Sequence, residues 1–321
     1  MKRQTFSRRR FLAVPAGIAA FTGCNRDSKR VIGVVPKGRA HLFWQSVQAG
    51  AVAASREANV EIVWNGPATE TDFNGQLQIV EGLISRRVSA IALAPIDKKS
   101  MVSVVERATR EGIPVVIFDS GIDTEVFVSQ VATDNYKAGQ MAADRMGEIL
   151  EGKGKIVMVA VQPGAASTMA REQGFEDRIK EKFANIVIAD KRFGMADFAK
   201  SRTVAENMLT AHPDMVGMFA SNESSTVGAT QALKSRESKV KLVGFDWSDP
   251  LLDDVKAGRI DSLVVQNPFK MGYESVKAAV AKLNGQTPAK IQNLEPRLIR
   301  KEDLDKPDVQ EHLHPDLKKY L

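Results

Sequence analysis

Beyond residue 30 the chain alternates two patterns: short runs of apolar, mostly β-branched residues, and longer stretches with apolar positions every three or four residues. Val31-Ile32-Gly33-Val34-Val35 reads as a buried strand, and Phe43 to Ala58 as the helix that follows it. Further strands are predicted at 60–64, 90–93, 114–118, 155–161, 186–189, 215–219, 241–244 and 262–265, with another apolar run at 126–131. Helices are predicted at 73–86, 98–111, 136–150, 167–183, 198–211, 225–233, 250–257 and 270–283. Near-continuous apolar strands alternating with amphipathic helices indicate parallel sheets covered on both faces. The strands are too many for one comfortable sheet, so the predicted fold is α/β with two doubly wound lobes.

The first 24 residues follow a different pattern. Ser7-Arg8-Arg9-Arg10-Phe11-Leu12 opens a short apolar run to Phe21, followed by Thr22-Gly23-Cys24. A basic start, an apolar core of about 11 residues and small residues before a cleavage point describe an export signal. The run is too short for a bilayer span, which needs roughly 20 residues. The Ser-Arg-Arg-x-Phe-Leu string resembles a twin-arginine signal. Thr-Gly-Cys resembles a lipobox, with Phe21 where an aliphatic residue is more usual. Residues 1–23 are therefore expected to be removed, Cys24 to be lipidated and to hold the protein on a membrane, and 24–30 to be a linker. The competing reading of a lone cysteine is an inert core residue, but Cys24 precedes the first strand and is followed by the polar run 25–30.

This reading changes the charge argument. The whole chain carries 45 basic and 39 acidic residues. Lys2, Arg3, Arg8, Arg9 and Arg10 fall in residues 1–23 with no acid, so 40 basic residues face 39 acidic ones beyond the signal. A nucleic-acid binder carries its positive charge on the folded domain, so no nucleic-acid partner is expected. Cys24 is the only cysteine, no Cys/His cluster has zinc spacing, and neither metal nor cofactor is implied.

In doubly wound sheets ligands bind at the carboxyl ends of strands, and the chemistry-bearing residues fall there. Lys37, His41, Phe43 and Trp44 follow the first strand, and Asp119-Ser120-Gly121 follows the 114–118 strand. Arg171 follows the loop after 155–161. Asn222, Asp246 and Gln266 end three later strands, and Phe198 opens a helix. Aromatic faces stack on the C–H faces of a sugar, while carboxylates and amides pair with its hydroxyls.

In this order and spacing the segments Phe43-Trp44, Ala94-Pro95, Phe118-Asp119, Ala132-Thr133-Asp134-Asn135, Arg171-Glu172-Gln173-Gly174-Phe175, Asn222-Glu223, Val243-Gly244-Phe245-Asp246 and Gln266-Asn267-Pro268 resemble the ribose-type periplasmic sugar-binding proteins of ABC importers. The resemblance covers about Lys29 to Arg300. It implies two lobes of the type I periplasmic binding protein fold, joined by a hinge of three crossings near Thr133-Asp134, Gln266-Asn267 and Leu294–Pro296. The lobes are expected at 31–133 plus 267–295 and at 134–266 plus 296–302, with a C-terminal extension at 303–321 wrapping the surface of one lobe. By the same resemblance, Phe43 and Trp44 stack on the sugar, Asp119 takes two hydroxyls, Arg171 grips ring and hydroxyl oxygens, and Phe198 closes the sandwich. Asn222, Asp246 and Gln266 complete the polar contacts. The implied partners are a carbohydrate ligand and the membrane permease of an importer, with the binding protein itself monomeric.

The sequence departs from that pattern at Ser120, where ribose binders carry arginine, at His41, where they carry asparagine, and in the longer loop holding Lys37. Lys37 and His41 together suit a substituted or acidic sugar. Other readings stay open for single residues. Phe43 and Trp44 could be core residues, Asp119 a loop cap, and Arg171 a surface partner of Glu172 or Asp177. Phe193 could take the place of Phe198, and Trp247 could be an aromatic wall or a packing residue.

Three alternative functions share parts of this pattern. Asp119 and Asp246 in one cleft could serve a glycoside-processing enzyme, but an arginine nearby lowers a carboxyl pKa and works against a general acid. A repressor core would need a helix-turn-helix headpiece where the export signal stands. A ligand sensor reporting to a chemoreceptor or kinase would keep the same fold and cleft.

Overall fold

The computed structural model describes Met1 and residues 29–321. The export signal and Cys24 lie outside the described residues, as does most of the 24–30 linker. The described chain runs β1 (Val31–Val35), α1 (Leu42–Glu57), β2 (Glu61–Trp64), α2 (Phe73–Ser85), β3 (Ala90–Leu93), α3 (Val102–Arg110), β4 (Val115–Phe118) and β5 (Ser129–Thr133). It continues through α4 (Asn135–Ile149), β6 (Lys153–Ala160), α5 (Ala166–Lys182), β7 (Asn185–Phe193), α6 (Phe198–Ala211), β8 (Gly217–Ala220) and α7 (Glu223–Ser235). Then come β9 (Lys241–Phe245), α8 (Asp249–Lys256), β10 (Ser262–Val265), α9 (Pro268–Leu283), β11 (Ile291–Leu294), β12 (Arg297–Arg300) and α10 (Pro307–Leu313).

Two six-stranded sheets result, in the orders β11-β5-β4-β3-β1-β2 and β12-β10-β9-β8-β6-β7. Every pair is parallel except β10 with β12. Strands β3, β4, β8 and β10 are buried along their whole length, which is why they carry unbroken apolar runs rather than alternation. Each sheet has a core on both faces, one lined by α1 and α9 residues and the other by α2 and α3 in the first lobe. The chain passes between the sheets after β5, after β10 and between β11 and β12.

Several elements differ from the sequence reading. The 126–131 run becomes β5 only from Ser129, because Val126 is exposed. Strand β7 runs on to Phe193, well past the apolar stretch. Strands β11 (Ile-Gln-Asn-Leu) and β12 (Arg-Leu-Ile-Arg) lack a buried apolar run and are not predicted by the sequence pattern; they are edge strands, each paired on one side only.

The C-terminal extension does not wrap one lobe. Leu304, Val309 and Leu313 enter the core of the second lobe, while the 3-10 turn Leu317–Lys319 lies against α1 of the first. Tyr320 packs on Phe269 with ring centroids 5.6 Å apart, and Arg56 donates to the Lys319 carbonyl at 2.6 Å. Among the described residues no helix is long and apolar enough to cross a membrane.

Candidate functional site

The carboxyl ends of the two sheets face each other, and each presents an aspartate at the same place in its lobe. Asp119 directly follows β4 and Asp246 directly follows β9. Both adopt left-handed backbone conformations, with φ of 59° and 63°, a conformation that Asp tolerates better than most residues. Each backbone N–H donates to the next strand of its sheet, Asp119 to the Val131 carbonyl at 3.0 Å and Asp246 to that of Val264 at 2.9 Å. The two carboxylates are thus mounted by one device used twice.

Around Asp119 the partners come from both lobes. The Lys37 ammonium lies 2.6 Å from Asp119 Oδ2 and donates to Ser167 Oγ at 2.9 Å. Ser120 Oγ donates to Ser167 Oγ and accepts the Ser167 backbone N–H at 2.9 Å. Lys37, Asp119 and Ser120 are each under 5% exposed. Lys37 is therefore no free cation at the mouth of the cleft; a carboxylate in its own lobe already meets its charge.

Around Asp246 the donors differ. Gln266 Nε2 donates to Oδ1 at 2.7 Å and the Glu223 backbone N–H to Oδ2 at 3.0 Å. Gln266 Oε1 accepts from Thr133 Oγ1 at 2.7 Å, so this amide joins two of the crossings. The Arg171 guanidinium lies 4.0 Å from Asp246 and 4.0 Å over the Phe245 ring. It donates to Asn135 Oδ1 at 2.8 Å and the Ser221 carbonyl at 3.0 Å. Neither Glu172 nor Asp177 pairs with it; Glu172 instead ties the ends of β6 and β8 by accepting from Val161 N and Ser221 Oγ. Burial raises the Asp246 pKa, and Arg171 and Gln266 pull it back down. Asn222 caps α7, its Oδ1 accepting the Ser225 N–H at 2.9 Å.

The aromatic side of the cleft is organised by a residue the sequence did not single out. Glu70 Oε1 accepts from Trp44 Nε1 at 2.8 Å and lies 2.9 Å from His41 Nδ1. Burial opposes both charges, but the pair holds: His41 is raised to about 9 and Glu70 lowered to about 2. Across the cleft, His41 Nε2 lies 3.2 Å from the Ala196 carbonyl, and its ring meets Phe198 edge-on at 5.1 Å. Phe198, not the exposed Phe193, is thus the residue at the seam. Trp44 packs edge-on against Phe43 at 4.9 Å and against Phe118 at 6.4 Å, and is 3% exposed, so it serves the first lobe's core as well as the rim. Trp247 packs on the second lobe's core and edge-on to His314.

A second unforeseen residue crosses the gap. Glu223, the first residue of α7, accepts the backbone N–H groups of Leu42 and Phe43, each at 3.3 Å. Helix α1 has no side-chain cap of its own, and this carboxylate supplies one from the opposite lobe. Burial and the nearby Asp246 push Glu223 up to about 7.

Taken with the sheet order, this facing pair of strand ends has counterparts among known proteins. The model of the periplasmic binding protein domain matches residues 32–287. The chain belongs to that family. Among periplasmic binding proteins it is 30% identical to the D-ribose/D-allose-binding protein of Pseudomonas aeruginosa, over 80% of this chain and 83% of that one. A carbohydrate transporter solute-binding protein from Agrobacterium radiobacter, solved with D-arabinose, superposes with a TM-score of 0.87 at 30% identity, covering 89% of this chain and 99% of its own. One from Agrobacterium vitis with bound D-fucose gives 0.86 at 32% identity, over 88% and 100%. These relatives are binding proteins of transport systems rather than enzymes.

For this periplasmic binding protein the missed residues have identifiable signals. Glu223 directly follows Asn222 at the first turn of a helix, where an acid is favoured. Glu70 lies in the 65–72 loop, where no periodicity points inward. Ser167 lies one turn before Arg171 on the same helix face.

Proposed function

We propose that the chain is an extracytoplasmic solute-binding lipoprotein that traps a neutral monosaccharide between its lobes by hinge closure and delivers it to the permease of an ABC importer. The observation that carries the reading is the meeting of Asp119 from one lobe and Asp246 from the other in a single cleft, each on its own strand end. Gln162, whose Nε2 donates to the Glu70 carbonyl across the cleft at 2.8 Å, has its Oε1 buried with no partner, and a sugar hydroxyl would supply the missing donor. Phe43 and Phe198 stand on opposite sides as stacking surfaces, and Asn222 and Arg171 offer further donors.

Neutrality follows from the pairing of charges. Lys37 faces Asp119, His41 faces Glu70, and Arg171 faces Asp246. A ligand carboxylate would find Lys37, His41 and Arg171 already paired among the described residues, so the acidic sugar suggested by Lys37 and His41 alone gives way to an uncharged one. A ligand touching both lobes shifts the open–closed balance; one touching a single lobe does not. The Ser-Arg-Arg-x-Phe-Leu signal and Cys24 support export and a lipid tether.

The test is a thermal-shift screen against D-ribose, D-allose, D-arabinose, D-fucose and D-tagatose, with sugar acids alongside. A binder at 100 times its Kd should stabilise the fold by about 2.7 kcal/mol. A rise with a neutral sugar and none with the acids is expected. A rise with sugar acids alone refutes the neutral ligand, and no rise with any of them refutes sugar capture.

A further inference from the structure

We propose that residues 303–321 form a strap that holds the cleft closed, with His312 positioning the hinge at Gln266. The proposal builds on capture by closure and adds a part to it.

The strap is anchored at one end in the second lobe. Leu304, Val309 and Leu313 are at most 2% exposed in its core, and Arg297 of β12 pairs with Asp308 at 2.5 Å. At the middle, His312 Nε2 lies 2.8 Å from the backbone carbonyl of Gln266, the last residue before the crossing into α9. Burial lowers the His312 pKa, which keeps the ring neutral with Nε2–H as the donor. The side chain of that same Gln266 holds Asp246 and Thr133, so the strap touches the hinge at the residue that links the crossings to the cleft. His314 then packs on Trp247, which lines a small cavity together with Phe43, Asp246 and Gln266.

At the far end the chain has changed lobes. Tyr320 meets Phe269 of α9, and Arg56 of α1 reaches both the Lys319 carbonyl and the Tyr320 ring. Only His314, Pro315 and Asp316 connect the buried Leu313 to the 3-10 turn at Leu317–Lys319. The four steps from Leu313 to Leu317 span about 14 Å at most, and Pro315 fixes one of their dihedrals. So short a link leaves little slack for a lobe rotation on opening. Either the turn leaves the first lobe or the strap resists opening, and both make the closed arrangement the one in which its contacts are complete.

The test uses the chain with Cys24→Ser, spin-labelled at Thr69→Cys and Lys200→Cys, two exposed positions on opposite lobes. Three variants are compared with it: deletion of 315–321, which leaves Val309 and Leu313 in place, His312→Ala, and His312→Gln, whose amide can donate the same bond. With no sugar added, the deletion and His312→Ala should lengthen the inter-lobe distance. For whichever of D-ribose, D-allose, D-arabinose, D-fucose and D-tagatose binds the parent most tightly, they should raise Kd about five- to tenfold. His312→Gln should stay within about twofold of the parent. Unchanged distance and affinity in both the deletion and His312→Ala overturn the strap, and equal losses in His312→Ala and His312→Gln overturn the positioning role. If no sugar binds the parent, capture itself fails, and the sugar-free distances decide the strap alone.

Discussion

The Glu223 carboxylate accepts the backbone N–H of Phe43 from across the cleft, so the helix carrying an aromatic wall is finished only when the lobes meet. Glu223→Ala should raise the sugar Kd about tenfold or more, leaving two helix N–H groups without a partner. Calorimetry on parent and variant checks this.

The same carboxylate gives closure a pH dependence. In the closed form Glu223 is raised to about 7 from an ordinary 4.5, so closing takes up a proton between those values. Its contribution to closure is fully present below about 4.5 and is lost as pH rises through about 7. Sugar affinity is expected to fall between pH 5 and pH 8.5, and Glu223→Gln, which does not titrate, should flatten the profile. A profile unaltered by Glu223→Gln would refute the assignment.

The His41–Glu70 pair sits in the first lobe and acts on its stability, while His41 also meets Ala196 and Phe198 across the cleft. His41 is raised to about 9, so its contribution is complete below 6.5 and disappears as pH climbs through 9. Glu70 is lowered to about 2, so its contribution is complete above 4.5 and disappears as pH drops through 2. The pair is therefore worth most between about pH 4.5 and 6.5. Glu70→Gln should lower the melting temperature chiefly in that window, measured by scanning calorimetry from pH 3 to pH 10.

Arg171 is fixed by Asn135, the Ser221 carbonyl and Phe245. Arg171→Ala should cost about 3–5 kcal/mol, because it leaves Asp246 buried beside an empty position. The same residue can be reached from outside the cleft. A Cβ on Gly139 of α4 would run into the Arg171 backbone carbonyl. Gly139→Ala should push α5 outward and weaken sugar binding with every cleft side chain intact, which a binding assay beside a circular dichroism spectrum would show.

Lys37→Met keeps most of the side-chain volume and removes the ammonium. Asp119 then lies buried without its counter-charge, and Ser167 loses a donor from the other lobe. A loss of about 3 kcal/mol in stability is expected, measured by denaturant unfolding, with recovery in Lys37→Met/Asp119→Asn.

What the sequence made legible follows burial. Strands such as β3 and β10 are covered on both faces, and their apolar runs mark them directly. Strands β11 and β12 are held by pairing at a sheet edge, which requires no apolar run. Among cleft residues, those at strand ends announce themselves by following an apolar run. Glu70 reaches the cleft from a loop, and its partners Trp44 and His41 are far from it in the chain, Trp44 by 26 residues and His41 by slightly more. The tail shows the same limit. Val309 and Leu313 have helical spacing, but nothing in the pattern says that the next few residues cross to the other lobe.

The twin aspartates bear on stereochemistry. Two carboxylates mounted alike on two similar sheets would, by themselves, grip a ring nearly the same from either end. Their neighbours break that likeness, with a lysine and two serines at Asp119 and an amide, a backbone N–H and an arginine at Asp246. If the cleft holds a sugar as proposed, it would tell one end of a chiral ring from the other through residues such as Lys37 and Gln266 more than through the two aspartates.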